Sequence, residues 1–238
     1  VAEQHFAELL GTAYLSPAAG FLALLPVVSD RGTPPDVTEL FRRLVARHPT
    51  VAEGHYALGS AALHSENFRV ALDSARRATE IAPYWVPARM LLARALVASG
   101  DEEAGLAAAR DLVMAPDASV ATHLEYALLL ATTGRDAEAR AMLTPYATGE
   151  TVVPGAVRSL GILDLEQGDL DAATVRFEAL LSTGSQSYDS LYFLGNIADR
   201  RDDDERAARY YSRVVSGEYA LPAQGRLARI KAEQGGLD

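Results

Sequence analysis

The apolar residues of this chain recur with a fixed long period. Steps of 34 along the chain from the Leu58-Gly59 pair reach Leu92-Ala93, Tyr126-Ala127, Leu160-Gly161 and Leu194-Gly195. The first member of each pair is large and apolar, whereas the second is alanine or glycine. From Ala71 the same step meets only small residues, and from Ala75 it meets apolar residues that become bulkier along the chain. Five copies share this register, which predicts a 34-residue repeat.

Each period contains the pattern of two short helices. Within "HYALGSAALH" (55–64) and "LYFLGNIADR" (191–200), apolar residues recur at spacings of three and four, which is typical of amphipathic helices. No alternating run bounded by turn residues predicts a strand. Two helices this short cannot bury their apolar faces alone, so the units must stack on one another. The pattern predicts an all-α fold, an α-solenoid of about fourteen helices.

The register divides this predicted solenoid, which we expect to be continuous, into three segments. Residues 1–51 are interpreted as degenerate N-terminal repeat helices, in which Leu24, Val37, Phe41, Leu44 and Pro49 occupy the expected slots. Residues 52–219 hold the repeats with the 34-residue period. Residues 220–238 predict the first helix of a truncated repeat. Because the second helix of this repeat is missing, we expect an apolar stripe around Leu227 and Ile230 to be uncovered. A second copy of the chain could cover this stripe and form a dimer through the terminal repeats.

Local signals predict where several helices begin. Ser16-Pro17 is typical of an N-cap followed by a first-turn proline. "DRGTPPD" (30–36) predicts a loop, and Thr50 with Glu53 predicts a capping box before the next helix. Trp85 directly precedes another predicted helix, and we expect it to pack against the next turn of that helix. The alternative is an exposed recognition role.

Four adjacent carboxylates, Asp202 to Glu205, form the densest acidic stretch of the chain. Steps of 34 from Asn67 reach Asp101, Arg135, Asp169 and Asp203. Four of these five residues carry a side-chain oxygen that can accept from exposed amides at a helix start. A calcium loop would need a glycine and a downstream glutamate that are missing here. The spacing therefore predicts that Asp203 caps a helix, with Asp204 and Glu205 in its first turn.

Composition and charge narrow the classes of partner. The 238 residues carry a formal net charge of −10, with 22 basic against 32 acidic residues, and Lys231 is the only lysine. Binding of nucleic acid or anionic lipid requires a positive surface, so both are disfavoured. The absence of cysteine excludes disulfides, zinc–thiolate sites and thiol nucleophiles. No apolar run approaches the roughly 18 residues of a membrane-spanning helix.

The usual catalytic motifs are missing from the sequence. It contains no Gly-x-Gly loop for a dinucleotide, no Gly-Lys pair for a phosphate and no Gly-x-Ser-x-Gly elbow. None of the histidines has another at the three- or four-residue spacing of a helical metal site; they are His5, His48, His55, His64 and His123. We therefore expect no enzyme activity, no metal and no cofactor.

The repeat unit resembles the tetratricopeptide repeat family. A 34-residue helix–turn–helix with a Leu-Gly/Ala pair, then small, aromatic and small positions, is the pattern of that family. The unit from Pro154 to about Ser187 matches best, through Leu160, Gly161, Gly168, Ala173 and Phe177. No unit has the tryptophan that the family carries early in the first helix. The resemblance implies a right-handed solenoid whose first helices line a concave groove.

In this family, positions five and nine of each first helix usually line the groove. Position five is occupied by Tyr56, Met90, Leu124, Arg158 and Tyr192, and position nine by Ser60, Arg94, Leu128, Ile162 and Asn196. The carboxylate clamp of the family needs Lys and Asn here, and only Asn196 fits. The resemblance implies instead a channel for an extended segment or amphipathic helix of a partner, with arginines for an acidic group. The alternative is that the apolar members pack between neighbouring first helices.

Two longer stretches narrow the resemblance. Residues 71–96 and 191–230 look like segments of proteobacterial periplasmic repeat lipoproteins, some of which present substrates to carboxyl-terminal processing proteases. This resemblance implies a non-enzymatic adaptor that binds a protein or peptide in the periplasm, with a signal peptide or lipid anchor upstream of Val1. Two alternatives stay open: an accessory region of a larger enzyme, and a homo-oligomeric structural array.

Overall fold

The computed structural model describes residues 16–29, 35–184 and 187–235, and within these ranges it contains thirteen helices and no strand. The helices are α1 (Pro17–Ser29), α2 (Pro35–Arg47), α3 (Ala52–His64), α4 (Phe68–Ile81), α5 (Val86–Ala98), α6 (Glu102–Val113), α7 (Val120–Thr132), α8 (Asp136–Thr148), α9 (Pro154–Glu166), α10 (Leu170–Ser182), α11 (Ser187–Arg200), α12 (Asp204–Tyr211) and α13 (Ala220–Gly235). The predicted all-α repeat fold is confirmed. Residues 1–15, which the sequence register assigns to the degenerate N-terminal repeat, fall outside the described ranges.

The 34-residue step is visible in the helix boundaries. The first helices α3, α5, α7 and α9 begin at residues 52, 86, 120 and 154, and the second helices α4, α6, α8, α10 and α12 begin at residues 68, 102, 136, 170 and 204. Among the other helices, α1, α2 and α11 begin within one residue of the step, and α13 begins two residues before it. Because α4, α6, α8, α10 and α12 all begin in register, the period read from apolar positions is also the period of the backbone.

Side-chain caps begin four of the five second helices. The carboxylate of Asp203 accepts from the Arg206 backbone N–H at 2.9 Å, so the predicted cap is confirmed. Equivalent bonds join the other cap oxygens to the amide three residues ahead: Asn67 to Val70 at 3.4 Å, Asp101 to Ala104 at 3.3 Å and Asp169 to Ala172 at 3.0 Å. Arg135, the fifth member, makes no side-chain cap. Each cap satisfies an amide that the first turn leaves without a partner.

The other predicted helix starts have mixed outcomes. The Ala19 backbone N–H donates to Ser16 Oγ at 3.3 Å, so the first cap is confirmed. The Thr50–Glu53 capping box is wrong, because α3 begins at Ala52 and its N-cap is Val51, which offers no side-chain oxygen. Thr50 lies in the preceding turn. Residues 30–34 of the predicted loop lie outside the described ranges.

The chain divides into two compact units, residues 1–129 and 130–238. In the first unit, the predicted slots Phe41 and Leu44 are buried with Phe21 against the small face of α3. The Phe21 and Phe41 rings stack with centroids 6.5 Å apart. Further along, Ala62, Ala71, Ala75, Leu91 and Ala95 form a second cluster. Small side chains on facing helices allow close approach here. Continuity of one solenoid over the whole chain stays a prediction.

In the second unit, large rings lie against glycines. A Cβ at Gly161 would lie 2.9 Å from the Phe177 ring, and one at Gly195 would lie 2.7 Å from the Tyr211 ring. The two bulkiest members of the series that begins at Ala75, Phe177 and Tyr211, therefore lie against glycines of the facing helix. The prediction of an uncovered stripe at Leu227 and Ile230 is wrong. Ile230 is fully buried on α11 and α12 residues, and Leu227 packs beside it half-buried.

Candidate functional site

The predicted groove residues of the first unit differ in their exposure. Tyr56, Ser60, Arg94 and Leu124 are half-buried, and Leu128 is 58% exposed. Met90 is only 2% exposed, so it packs within the core and does not face a partner. This corrects the expectation that Met90 lines the surface, since its neighbours in the adjacent helices cover it. We call the exposed part of these side chains the first-helix face of the unit.

An aromatic pair forms the centre of this face in the first unit. The rings of Tyr56 and Trp85 lie 5.0 Å apart with an angle of 53°. Trp85 is the N-cap residue of α5 and is half-buried. The expectation that it packs on the next turn of its own helix therefore misses its main ring contact, which is with the first helix of the preceding repeat.

A guanidinium and a carboxyl group lie near this aromatic pair. Burial raises the pKa of the Tyr56 phenol, Glu125 raises it further, and Arg94 and a hydrogen bond with Ser60 oppose the shift. Burial also raises the pKa of the Glu125 carboxyl, against the effect of Arg94. The Glu125 residue as a whole is exposed at the surface. Three successive first helices thus contribute a phenol, a guanidinium and a carboxyl to one surface.

The first-helix face of the second unit contains an ion pair. Arg158 Nη1 lies 3.0 Å from Asp189 Oδ2, and the two side chains are 31% and 24% exposed. The family register predicts that Arg158 holds an acidic group of a partner. In the structure that role is filled within the chain, so an incoming carboxylate would have to displace Asp189 or bind the other side of the guanidinium.

Tyr192 belongs to an aromatic cluster beside this ion pair. Its ring stacks on Tyr219 with centroids 4.5 Å apart and an angle of 14°, and it meets Phe193 edge-on at 5.4 Å. Burial raises the pKa of Tyr219, Glu218 and Asp189 add to the shift, and Arg158 opposes it. Both tyrosines are half-buried, so one side of the stack is open to solvent.

The aromatic pairs of the two units have similar placements along the chain, although steps of 34 from Trp85 reach Leu221 and not Tyr219. Tyr56 and Tyr192 both occupy position five of a first helix. Trp85 and Tyr219 both directly precede the next first helix within their own unit, α5 and α13. The sequence register identified both tyrosines, but it did not predict that Trp85 and Tyr219 are their ring partners. A search for aromatic residues directly before each first helix would have found them.

The remaining predicted residues lie beside this cluster. Ile162 is half-buried and packs on the Phe177 core. Asn196 is half-buried, and its Oδ1 is buried without a hydrogen-bond partner among the described residues. Asn196 lines a polar pocket with Asp199, Arg226 and others. Arg226 occupies the position one full period after Tyr192, so extending the register by one step would have found it.

The first-helix face of each unit therefore presents aromatic rings and charged groups. Within the described part of the chain, no group of three or more metal-binding side chains could hold an ion. Across the same residues, no helix has the length and apolar character needed to cross a membrane.

The family comparison agrees with the repeat register. The family model described as tetratricopeptide repeat matches residues 38–84 and 158–228. The sequence matches no curated protein.

Solved structures resemble the fold over most of the chain. A tetratricopeptide repeat protein from Parabacteroides merdae matches with a TM-score of 0.72 and 12% identity, covering 97% of this chain and 91% of that one. The Cut9-Hcn1 hetero-tetramer of APC/C matches with a TM-score of 0.62 and 15% identity, covering 97% of this chain but only 45% of that chain. The type IV pilus biogenesis factor PilW matches with a TM-score of 0.58 and 16% identity, covering 80% of this chain and 87% of that one. Identities this low establish similarity of fold alone.

Proposed function

We propose that this chain, whose membership of the tetratricopeptide repeat family is supported by the family model and by fold, is a non-enzymatic scaffold for a partner protein. Helical repeats of this kind fit protein–protein interaction. The partner would contribute an extended segment or a helix, and the first-helix faces would bind it. The observation that carries the proposal is the half-buried aromatic pair beside an arginine and a carboxyl group, present in both units.

Such a surface fits a peptide for physical reasons. Tyrosine and tryptophan offer large rigid contact areas at a low cost in conformational entropy, and they dominate binding energy where they are partly buried. The nearby guanidinium and carboxyl groups offer donors and acceptors to polar groups of the partner. Because Arg158 is already paired with Asp189, the ion pair offers both a donor and an acceptor. It would therefore orient an acidic or a basic group of the partner.

The names of two structural relatives are consistent with a role in assembly. One relative is a component of a hetero-tetramer, and the other is a pilus biogenesis factor. We extend to this chain only the general property of binding another protein. Delivery of substrates to a periplasmic carboxyl-terminal processing protease is a narrower form of the proposal, supported by the resemblance of residues 71–96 and 191–230.

A photo-crosslinking amino acid at Tyr56 or Tyr192 tests the proposed faces in the native extract. Val175 and Met114 are matched controls, since they are 68% and 77% exposed and lie outside these faces. We expect the same partner to be crosslinked from both tyrosine positions and not from the controls. Equal crosslinking from all four positions would contradict the assignment.

The identity of the crosslinked protein also distinguishes the proteolysis adaptor from the homo-oligomeric array, and the full-length reading frame tests the accessory region of an enzyme. Recovery of a protease with its substrate, from the tyrosine positions only, would support the adaptor for proteolysis. Recovery of the chain itself as the sole product, together with a dimer or larger mass by light scattering, would favour the homo-oligomeric array instead. A catalytic sequence in the same full-length reading frame would favour the accessory region of an enzyme.

A further inference from the structure

Three arginines lie on one side of α12 and the turn that follows it. Arg206, Arg209 and Arg213 are spaced by three and four residues, which brings their side chains to one face. Together with Tyr210 and Ser212 they line a surface pocket of about 360 Å³. Ala207 and Tyr211 on the opposite side are buried in the core. We call Arg206, Arg209 and Arg213 the arginine face.

The charge of this face is poorly neutralised by the chain. Arg209 lies 3.7 Å from Glu205, and both side chains are highly exposed, at 68% and 85%, so the pair is weak. Neither Arg206 nor Arg213 has a carboxylate within ion-pair distance in the described ranges. Other arginines of this unit are paired, including Arg140, Arg158, Arg176, Arg201 and Arg229. In a chain of net charge −10, a pocket with only cationic charged groups is therefore distinctive.

We propose that the arginine face binds a short acidic segment of a partner protein. Guanidinium groups bind carboxylates through two parallel hydrogen bonds, and the hydroxyls of Tyr210 and Ser212 can contact the peptide backbone. The face runs from Arg206 on α12 to Arg213 in the following turn, a distance of about 10 Å at the helical rise of about 1.5 Å per residue, which matches two or three carboxylates. A nucleic acid needs a longer basic surface, and the net negative charge of the chain repels it.

This site is separate from the first-helix faces. It lies on a second helix, and none of its residues contributes to the aromatic pairs of Tyr56 or Tyr192. The proposal therefore does not depend on the proposed groove. Loss of one site should leave the other unchanged.

The test is fluorescence titration of a labelled peptide of about ten residues, all Glu and Asp, at low ionic strength, where exposed charges are least screened. The variant is Arg206→Glu with Arg213→Glu. The matched control is Arg69→Glu with Arg76→Glu on α4, which has the same seven-residue spacing, the same charge change and similar exposure. Circular dichroism confirms that both variants are folded, and a Gln/Asn peptide of equal length controls for charge.

We expect the arginine-face variant to raise the Kd at least about tenfold, and the α4 variant to raise it less than about threefold. The Gln/Asn peptide should not bind. The proposal is overturned if the acidic peptide does not bind the wild-type chain, or if both variants weaken binding equally, which would indicate only the general field of the protein. Tighter binding of an oligonucleotide of equal charge, lost in the same variant, would overturn the choice of a peptide partner. If the arginine-face variant does not fold, Arg213→Gln alone replaces it, with Arg76→Gln as its control, and equal binding by these two overturns the proposal.

Discussion

The turn before each second helix places one residue in the left-handed backbone region. Three of these residues are glycines, with φ of +92° at Gly100, +73° at Gly134 and +81° at Gly168. In the first and last copies the position is taken by Glu66 at +55° and Asp202 at +56°. A side chain with a Cβ is strained there, and glutamate more than aspartate. The acidic run of residues 202–205 thus contains a strained turn residue, a cap and two first-turn carboxylates.

Replacing Glu66 by glycine should stabilise the chain. Removal of the Cβ relieves backbone strain, and we expect a gain of about 1 kcal/mol in the free energy of unfolding after the entropy cost of glycine. Asp202→Gly should gain less, because aspartate tolerates this region better. Urea unfolding measures both. Gly134→Ala, which has open space around it, is the reverse control and should lose about 1 kcal/mol. Loss of stability in both glycine variants would contradict the strain argument.

The hydroxyl of Tyr211 is buried without a hydrogen-bond partner in the described part of the chain. Burial raises the pKa of this phenol well above its usual value, and Asp199 adds to the shift. Because the folded pKa exceeds the unfolded one, the stability linked to this group is present below about pH 10 and is lost as pH rises further.

Tyr211→Phe should therefore be nearly neutral or stabilising at pH 7, since it removes an unpaired polar atom and keeps the ring. We expect the same variant to resist unfolding better than the wild type above pH 10. Thermal melts between pH 7 and pH 11 test both statements. A large loss of stability at pH 7 would show that the hydroxyl has a partner, such as an ordered water.

At the scale of elements, the second unit packs its helices by matching rings with glycines. The ring of Tyr211 is 1% exposed and occupies the space beside Gly195. Phe177 occupies the same kind of space beside Gly161. In the first unit, facing positions such as Ala75 are small instead. The paired helices therefore make contact through different combinations of side-chain size in different copies of the repeat.

The variant Gly195→Ala tests this packing, with Gly225→Ala as its control. A methyl group at Gly195 would lie 2.7 Å from the buried Tyr211 ring, so we expect a loss of about 1–3 kcal/mol in the free energy of unfolding. Gly225 lies within α13 with nothing within 4 Å, so alanine there should gain about 0.5–1 kcal/mol from helix propensity. Denaturant unfolding of the two variants measures the difference. Equal effects would show that the ring rearranges.

A buried carboxylate joins three helices of the second unit. Asp164 on α9 is 2% exposed and lies 2.6 Å from Arg140 on α8 and 2.6 Å from Arg176 on α10. Arg140 also donates to Gln167 at 2.9 Å. This network replaces an apolar contact, because the register places Ala62, Leu96, Leu130 and Ala198 at the corresponding positions of the other repeats.

Asp164→Asn should destabilise the chain by about 2–3 kcal/mol, because two guanidinium groups would lose their counter-charge. The figure is below that of a fully buried pair, since the arginines are about one third exposed. Asp171→Asn is the control. Its side chain is 96% exposed against Arg201, so its loss should stay below about 0.5 kcal/mol. Similar losses in both variants would contradict the structural role of the buried network.

At the scale of the whole molecule, the chain carries an aromatic pair in each of its two units. Tyr56 and Tyr192 are half-buried, and Tyr84 is 93% exposed in the loop before α5. Exposure alone would favour Tyr84 as a contact residue. Partial burial favours the other two, because a ring held by its neighbours loses less entropy on binding.

The double variant Tyr56→Ala with Tyr192→Ala should weaken partner capture at least about tenfold while the helical content is retained. Tyr84→Ala should change the affinity less than about twofold. Titration of the crosslinked partner, once isolated, measures the affinities, and circular dichroism measures helix. Unchanged affinity in the double variant would contradict the proposed faces, whatever the result for the arginine face.

The period, the helix boundaries and four of five second-helix caps were predictable from sequence. These features depend on residues close in the chain, and five copies report the same local rule. The Thr50–Glu53 box failed because a cap requires a helix to begin at one residue, and the apolar register tolerates a shift of one.

Exposure and pairing on the first-helix faces were decided only by the tertiary structure. Met90 and Leu128 were both predicted to line the groove, yet Met90 is buried and Leu128 is exposed. Arg158 is paired with Asp189. The Trp85 ring lies tilted against Tyr56, and the Tyr219 ring stacks on Tyr192. Each outcome depends on the size and charge of side chains from neighbouring repeats. A register averaged over the copies describes what they share, whereas burial is determined by how each copy differs from the next.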